Sequence, residues 1–190
     1  MGVEIERKFL VQGDDWKAGQ VGVAYRQGYL TTDPERTVRV RMAGEEGFLT
    51  IKGAARSGAR REFEYRVPAA EAEQMLDLLC RKPLIEKCRY RIPFAGRVWE
   101  VDEFFGDNAG LVLAEIELDD VAQAFELPPW AGREVTGDHR FYSAYLAQHP
   151  RNTWPGEDLR LARGGRVLPG LGLASRAGAG ARGGWAGGGG

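Results

Sequence analysis

Eight acids and six bases fall at spacings that could do chemistry. The stretch VEIERKFL, residues 3 to 10, puts Glu4, Glu6 and Lys8 at every second position, with Val3, Ile5 and Phe9 between them and Arg7 as the exception. In a β-strand alternate side chains face opposite ways, so these charges share one face. TVRVRM does the same with Arg39 and Arg41 against Val38, Val40 and Met42, and LTIK adds Lys52. Glu62 and Glu64 alternate with Arg61, Phe63 and Tyr65, and Lys87 and Arg89 with Cys88 and Tyr90. Glu100 and Asp102 alternate with Trp99 and Val101, and Glu115 and Glu117 with Ala114, Ile116 and Leu118.

A single charged face is ordinary, because antiparallel sheets commonly turn one side to water. Seven strands with nearly pure Glu, Asp, Lys and Arg, sorted by sign, need another account. A barrel of about eight strands has room inside for side chains or one small ligand. Buried charges need partners, and unpaired ones are costly. Arg and Lys suit phosphate oxygens, the Arg fork above all. Clustered carboxylates suit hard cations such as Mg²⁺ or Mn²⁺. The pattern points to metal–polyphosphate chemistry on an internal charged face.

The elements that must position these residues are mostly short strands. The alternation predicts strands near 3–11, 24–30, 36–43, 47–53, 60–67, 86–93, 97–104 and 111–119, with turn signals at 43–47, 94–96 and 106–110. Helical patterns occur at 69–81, where Ala72, Met75, Leu76 and Leu79 make an apolar stripe, around 119–126, and at 138–148. The expected fold is a β-rich α+β domain: a closed eight-stranded antiparallel barrel with helices packed outside.

The 190 residues suffice for one domain with a core and an appendage. The net charge of −1 hides an asymmetry: residues 151–190 carry +4 and residues 1–150 carry −5. The domain is expected over 1–150. Residues 151–190, rich in Gly, Ala and Arg and without apolar periodicity, are expected to be a disordered tail. Arg is too sparse there, and aromatic residues too few, for strong nucleic-acid binding. Cys80 and Cys88 form no Cys-x-x-Cys pair, which argues against a disulfide scaffold or zinc site. The charged N-terminus and the absence of a long apolar run lead to an expectation of a soluble, cytoplasmic protein.

Glu4-x-Glu6-x-Lys8 resembles the ExExK signature of the CYTH domain, the triphosphate tunnel metalloenzyme superfamily. TVRVR, LTIKG, RREFE, EKCRY, WEVDEF, LAEIEL and REVTGD follow in that family's order, so the resemblance spans about residues 2–149. It implies an eight-stranded tunnel acting on a triphosphate with a divalent metal. Known activities of the family include inorganic, thiamine and RNA triphosphatase and adenylate cyclase. RQGYLTTD, residues 26–33, resembles the compact bacterial tripolyphosphatases, which makes inorganic triphosphate the expected substrate.

By position, the resemblance implies that Lys8, Arg39, Arg41, Lys52, Lys87 and Arg89 hold phosphates. The acids Glu4, Glu6, Glu62, Glu64, Asp102, Glu115 and Glu117 supply the metal ligands, Mg²⁺ or Mn²⁺. Lys8 and Tyr29 form a catalytic pair. The expected partners are a small-molecule triphosphate and at most a second copy in a homodimer, with no membrane and no nucleic acid. Arg140-Phe141-Tyr142-Ser143 departs from the family's Arg-Tyr-x-Asn. Rival readings are hydrolysis of a nucleoside or thiamine triphosphate, adenylate cyclase, a non-catalytic binder of polyphosphate or RNA 5′-triphosphate ends, and a plain β-domain with a wet face.

Overall fold

A computed structural model describes residues 5–33, 35–56, 59–156 and 158–159, without the side chains of 55–60. Glu4 and residues 160–190 of the expected tail lie outside the described residues.

The alternating runs become strands β1 (Ile5–Val11), β2 (Gly22–Thr31), β3 (Arg36–Ala43), β4 (Glu46–Arg56), β5 (Ala59–Val67), β6 (Ile85–Phe94), β7 (Arg97–Phe104) and β8 (Val112–Leu118). A short ninth, β9 (Ala131–Glu134), was not anticipated. All pairings are antiparallel, in the order β5-β4-β3-β2-β6-β7-β8-β1-β9. The β6–β7 hairpin turns on Ala95 and Gly96, with φ of 48° and 76°. Two positive φ values in a two-residue loop match the strand twist.

The expected closed barrel does not form. The sheet is open, with β5 and β9 at its ends. Closure would require β5 to reach the free side of β1. That side is occupied: Phe9 and Val11 of β1 pair with β9, Thr136 Oγ1 accepts from Lys8 N, and Lys8 O accepts from Val135 N. Arg7, outward on β1, forms a fork to Glu134 at 2.5 and 2.6 Å and lies over the Phe125 ring. The residue that interrupts the apolar alternation thus binds β9 to β1.

The alternation sorts side chains between two faces. The outer face of β1, β6, β7 and β8 buries Phe9, Tyr90, Ile92, Trp99, Val101, Ala114 and Ile116. Among the described residues no α-helix covers this patch; the 3₁₀ turn Asp15–Lys17 adds only Trp16, edge-on to Tyr90. The helix expected at 119–126 is a turn and an extended segment. Phe125 and Trp130 instead set their rings edge-on to Trp99 at 5.9 and 5.7 Å. A helix would have averaged those aromatic positions around its axis; the extended path delivers them to one cluster.

Helix α1 (Ala69–Leu78) covers the outer face of β3 and β4 and packs Ala72 and Leu76 on Val40 and Met42. Leu79, expected in its apolar stripe, lies past the helix end and is exposed. Gly28 permits the next close approach, since a Cβ there would meet Cys80 and Leu84 at 2.7 Å. A second α-helix, α2 (Ser143–Leu146), is what forms of the pattern at 138–148, after a 3₁₀ turn at His139–Phe141.

The inner face is divided. At one end Leu10, Tyr29, Ile85, Phe104 and Leu113 form an apolar plug with Phe141, Leu146 and Trp154 from the C-terminal segment. Packing therefore runs past residue 150: Trp154 meets Phe141 edge-on at 5.6 Å, and Leu159 lies against the same cluster. Trp154→Ala is expected to cost about 3 kcal/mol by loss of buried aromatic surface. Urea unfolding of the two proteins checks this; equal midpoints would show the plug does not need Trp154.

Candidate active site

The rest of the inner face carries the charges. Antiparallel register sets β1, β8, β7 and β6 side by side, so Lys8, Glu115, Asp102, Arg89 and Lys87 become neighbours. Asp102 is buried and accepts from Lys87 Nζ at 2.5 Å and from both sides of the Arg89 fork at 2.7 Å. Arg89 also reaches Glu100 and, at 3.3 Å, Glu115. Lys8 donates to Glu115 and stands 3.7 Å from Glu6.

Burial alone would raise the Asp102 pKa, but Lys87 and Arg89 overcome it and hold the carboxyl well below its usual range. Burial would raise Glu115 too, but Lys8, Arg89 and Lys87 together outweigh it and lower its pKa. For Lys8, burial is outweighed by Glu115 and Glu6, and its ammonium is raised. Lys87 goes the other way: its burial exceeds the help it receives from Asp102, so its pKa is lowered. Arg89 is raised, as Asp102 and Glu115 overcome desolvation.

A second group sits on β3, β4 and β5. Glu64 faces Arg41 at 3.1 Å, Arg39 at 3.5 Å and Thr50 Oγ1 at 2.8 Å. Lys52 meets Glu62 at 2.5 Å. Burial and its neighbour Arg39 push the Arg41 pKa down. Tyr25 on β2 joins the two groups: the Arg41, Lys87 and Arg89 cations lie 5.4, 5.7 and 5.6 Å from its ring centre, each within cation–π reach.

Away from the plug the face opens into a cleft of about 300 Å³, lined among others by Glu6, Arg89, Arg91, Glu100, Glu115 and Glu117. Here carboxylates stand directly opposite each other, Glu6 against Glu117 and Glu100 against Glu115. Like charges in register repel. A hard cation would relieve them, and the donors are all oxygens, so these residues fit a divalent metal by chemistry. Among the described residues, no three His, Cys, Asp or Glu side chains are arranged around one metal position. Asp102, Glu62, Glu64 and Glu115 are turned to bases.

Of the sequence-expected residues, the fold brings together Lys8, Lys87, Arg89, Glu6, Asp102 and Glu115, with Glu117 on the same face beside Glu6. Arg39, Arg41, Lys52, Glu62 and Glu64 form the neighbouring group, and Glu4 lies outside the described residues. Tyr29 is buried in the apolar plug, whereas the Tyr142 ring lies 5.4 Å from Lys8 Nζ. Sequence reasoning missed Tyr25, Gln27 and Thr50 as site residues. Tyr25 and Gln27 sit four and two positions before Tyr29 on β2; only their period of two would have marked them, since neither is charged.

The CYTH domain model matches residues 2–142. The chain belongs to the CYTH domain family. It is 51% identical over 150 residues to an inorganic triphosphatase of Acetivibrio thermocellus, covering 79% of this chain and 96% of that one. An inorganic triphosphatase of Nitrosomonas europaea is 40% identical over 150 residues, covering 76% and 96%. A solved crystal structure of an inorganic triphosphatase matches with a TM-score of 0.60 at 36% identity, covering 82% of this chain and 99% of that chain. This CYTH chain thus spans nearly the full length of those relatives.

Because Asp102 and Glu115 titrate below their ordinary values, their stabilisation is complete above about pH 4, the unfolded range. It is lost as pH falls below that range toward their folded values. Asp102→Asn is expected to cost about 3–5 kcal/mol, since it strands the Lys87 and Arg89 charges. Stability in urea at pH 7 and at pH 3 reads this: the variant should lose less than the parent between the two pH values. A variant as stable as the parent at pH 7 would show that Asp102 does not neutralise the pair.

Proposed function

We propose that this CYTH protein hydrolyses inorganic triphosphate to pyrophosphate and phosphate, with a divalent metal, on its charged inner face. One observation carries the reading: a single sheet face presents Lys8, Lys87, Arg89, Arg39 and Arg41 beside rows of carboxylates. A plain wet face would not bury Lys8, Lys87 and Asp102. A pure polyanion binder would need the bases but not facing carboxylates such as Glu6 and Glu117. The two inorganic triphosphatases aligned over nearly their whole length favour the inorganic substrate over nucleoside or thiamine triphosphate and over cyclisation.

Phosphoryl transfer needs placement and charge neutralisation more than covalent help. Arg39, Arg41, Lys87 and Arg89 hold the anion's oxygens. Lys52, on β4 beside them, adds charge at the flank. Glu6 and Glu117, with Glu100 and Glu115 beside them, would hold Mg²⁺ or Mn²⁺, and Glu4 precedes them on the same alternation. When bound, such a cation supplies charge stabilisation at phosphate oxygens and lowers the pKa of water. A carboxylate at the open end orients the attacking water and takes one of its protons. The bond from phosphorus to the bridging oxygen breaks, and Lys8, kept protonated by Glu115, donates to the oxygen that leaves. In favour of the pairing of Lys8 with Tyr29, Leu10, the next residue on the Lys8 face of β1, lies in the same plug as Tyr29. Tyr142, whose ring faces Lys8, is the alternative partner.

Phosphate release from tripolyphosphate by the full chain, with Mg²⁺ or Mn²⁺ and with EDTA, is the test. Metal-dependent turnover is expected, with Lys8→Ala lowering kcat at least about a hundredfold and Arg41→Ala acting mainly through KM. Tyr29→Phe and Tyr142→Phe identify the partner of Lys8 by which one lowers kcat. Turnover of ATP or thiamine triphosphate but not tripolyphosphate, or cyclic AMP formation, would replace the substrate; binding without turnover of any of them would leave a binding module.

A further inference from the structure

We infer that Gln27 is a direct substrate ligand, donating its side-chain amide to a phosphoryl oxygen at the buried end of the charged face. The inference rests on the triphosphate reading above and deepens it. Gln27 is 1% exposed, and its Nε2 has no hydrogen-bond partner. A buried amide donor left unpaired costs about 1–3 kcal/mol, so sequences seldom tolerate one without a use. Leu or Met would fill the same space without that cost.

Its position states the use. Gln27 lies two positions from Tyr25 and from Tyr29 on β2 and shares their face, so it points to the inner face. Its register partners are Arg41 on β3 and Ile85 on β6. One step along, Tyr29 pairs with Arg39 and Tyr25 with Lys87. The amide therefore lies between the Arg39/Arg41 pair and Lys87, at the line where charge gives way to the apolar plug of Tyr29 and Ile85. Two further donors remain unpaired there: Nε of Arg39 and Nε of Arg41. The bases on the other side, Lys8, Lys87 and Arg89, are all occupied by Asp102, Glu115 and Glu100.

Three orphaned N–H groups on two adjacent strands form a site that wants an acceptor with several oxygens. A carboxylate of the protein does not fill it, because Glu64 already takes the NH2 groups of both arginines. A terminal phosphoryl group has the charge and the oxygens. It can also end there, because the plug blocks further chain. Gln27 thus reads the end of a linear polyphosphate, while the facing carboxylates of the cleft lie toward its other end.

The test compares the full-length parent with Gln27→Glu and Gln27→Met. Gln27→Glu keeps the shape and replaces the donor with an acceptor; Gln27→Met keeps the volume and removes polarity. Two readings are taken: KM and kcat for tripolyphosphate with Mg²⁺, and the shift in melting temperature caused by tripolyphosphate with EDTA and no metal. Gln27→Met is expected to be at least as stable as the parent without ligand. Both variants should raise KM about tenfold or more, with Glu the worse, and both should lose most of the ligand-induced shift. KM within twofold of the parent and an unchanged shift, in either folded variant, would overturn the role. If the parent shows the shift but no turnover, the hydrolytic reading fails and the role of Gln27 is decided by the shift alone. A parent with neither refutes both.

Discussion

The neutralisation of Asp102 is the constraint on which the rest of the charged face depends. A carboxylate with almost no access to water is held by Lys87 and by both arms of Arg89. Neither cation could remain there alone, since an unpaired buried charge is too costly. Arg89 then extends to Glu100 and Glu115, and Glu115 takes Lys8. One acid thereby fixes the positions of three bases from two strands, β6 and β1. An incoming anion finds the cations already assembled, so the protein bears the cost of bringing like charges together during folding, not during binding.

The two halves of the inner face solve the same problem differently. Around Asp102 every base has an acid. Around Arg39 and Arg41 one acid, Glu64, serves two guanidinium groups, and burial with mutual repulsion lowers the Arg41 pKa. Tyr25 is the joint between them, since its ring is the surface toward which cations of both halves lean. The face of a ring attracts cations without bringing a full charge of its own, which suits a joint that must persist whether or not an anion is bound.

The strands were legible because period-two alternation is a strong signal and each run is bounded by turn residues. β1 to β8 match the expected runs closely, and the sorting of charged from apolar faces follows directly. β9 was not legible: four residues, Ala131–Glu134, have no pattern of their own and become a strand only because β1 offers an edge. The same event is why the barrel does not close, so the error in closure and the missed strand share a cause. The helix expected at 119–126 failed because Phe125 is needed against Trp99, a tertiary demand that overrides local propensity. Within the site, charged residues could be found by spacing. Tyr25, Gln27 and Thr50 could not, because an uncharged residue on a strand looks the same whether it faces core, water or ligand.

The apolar plug divides the inner face by dielectric as well as by shape. Next to Leu10, Tyr29, Ile85 and Phe104, little water surrounds the charges, and their fields are weakly screened by dissolved ions. At the cleft, with Arg91 and Glu117 in solvent, the screening length of the bulk applies. Ionic strength therefore acts on this protein as a toll at the entrance rather than a force inside: it governs how often an anion arrives and has little hold over how long it stays.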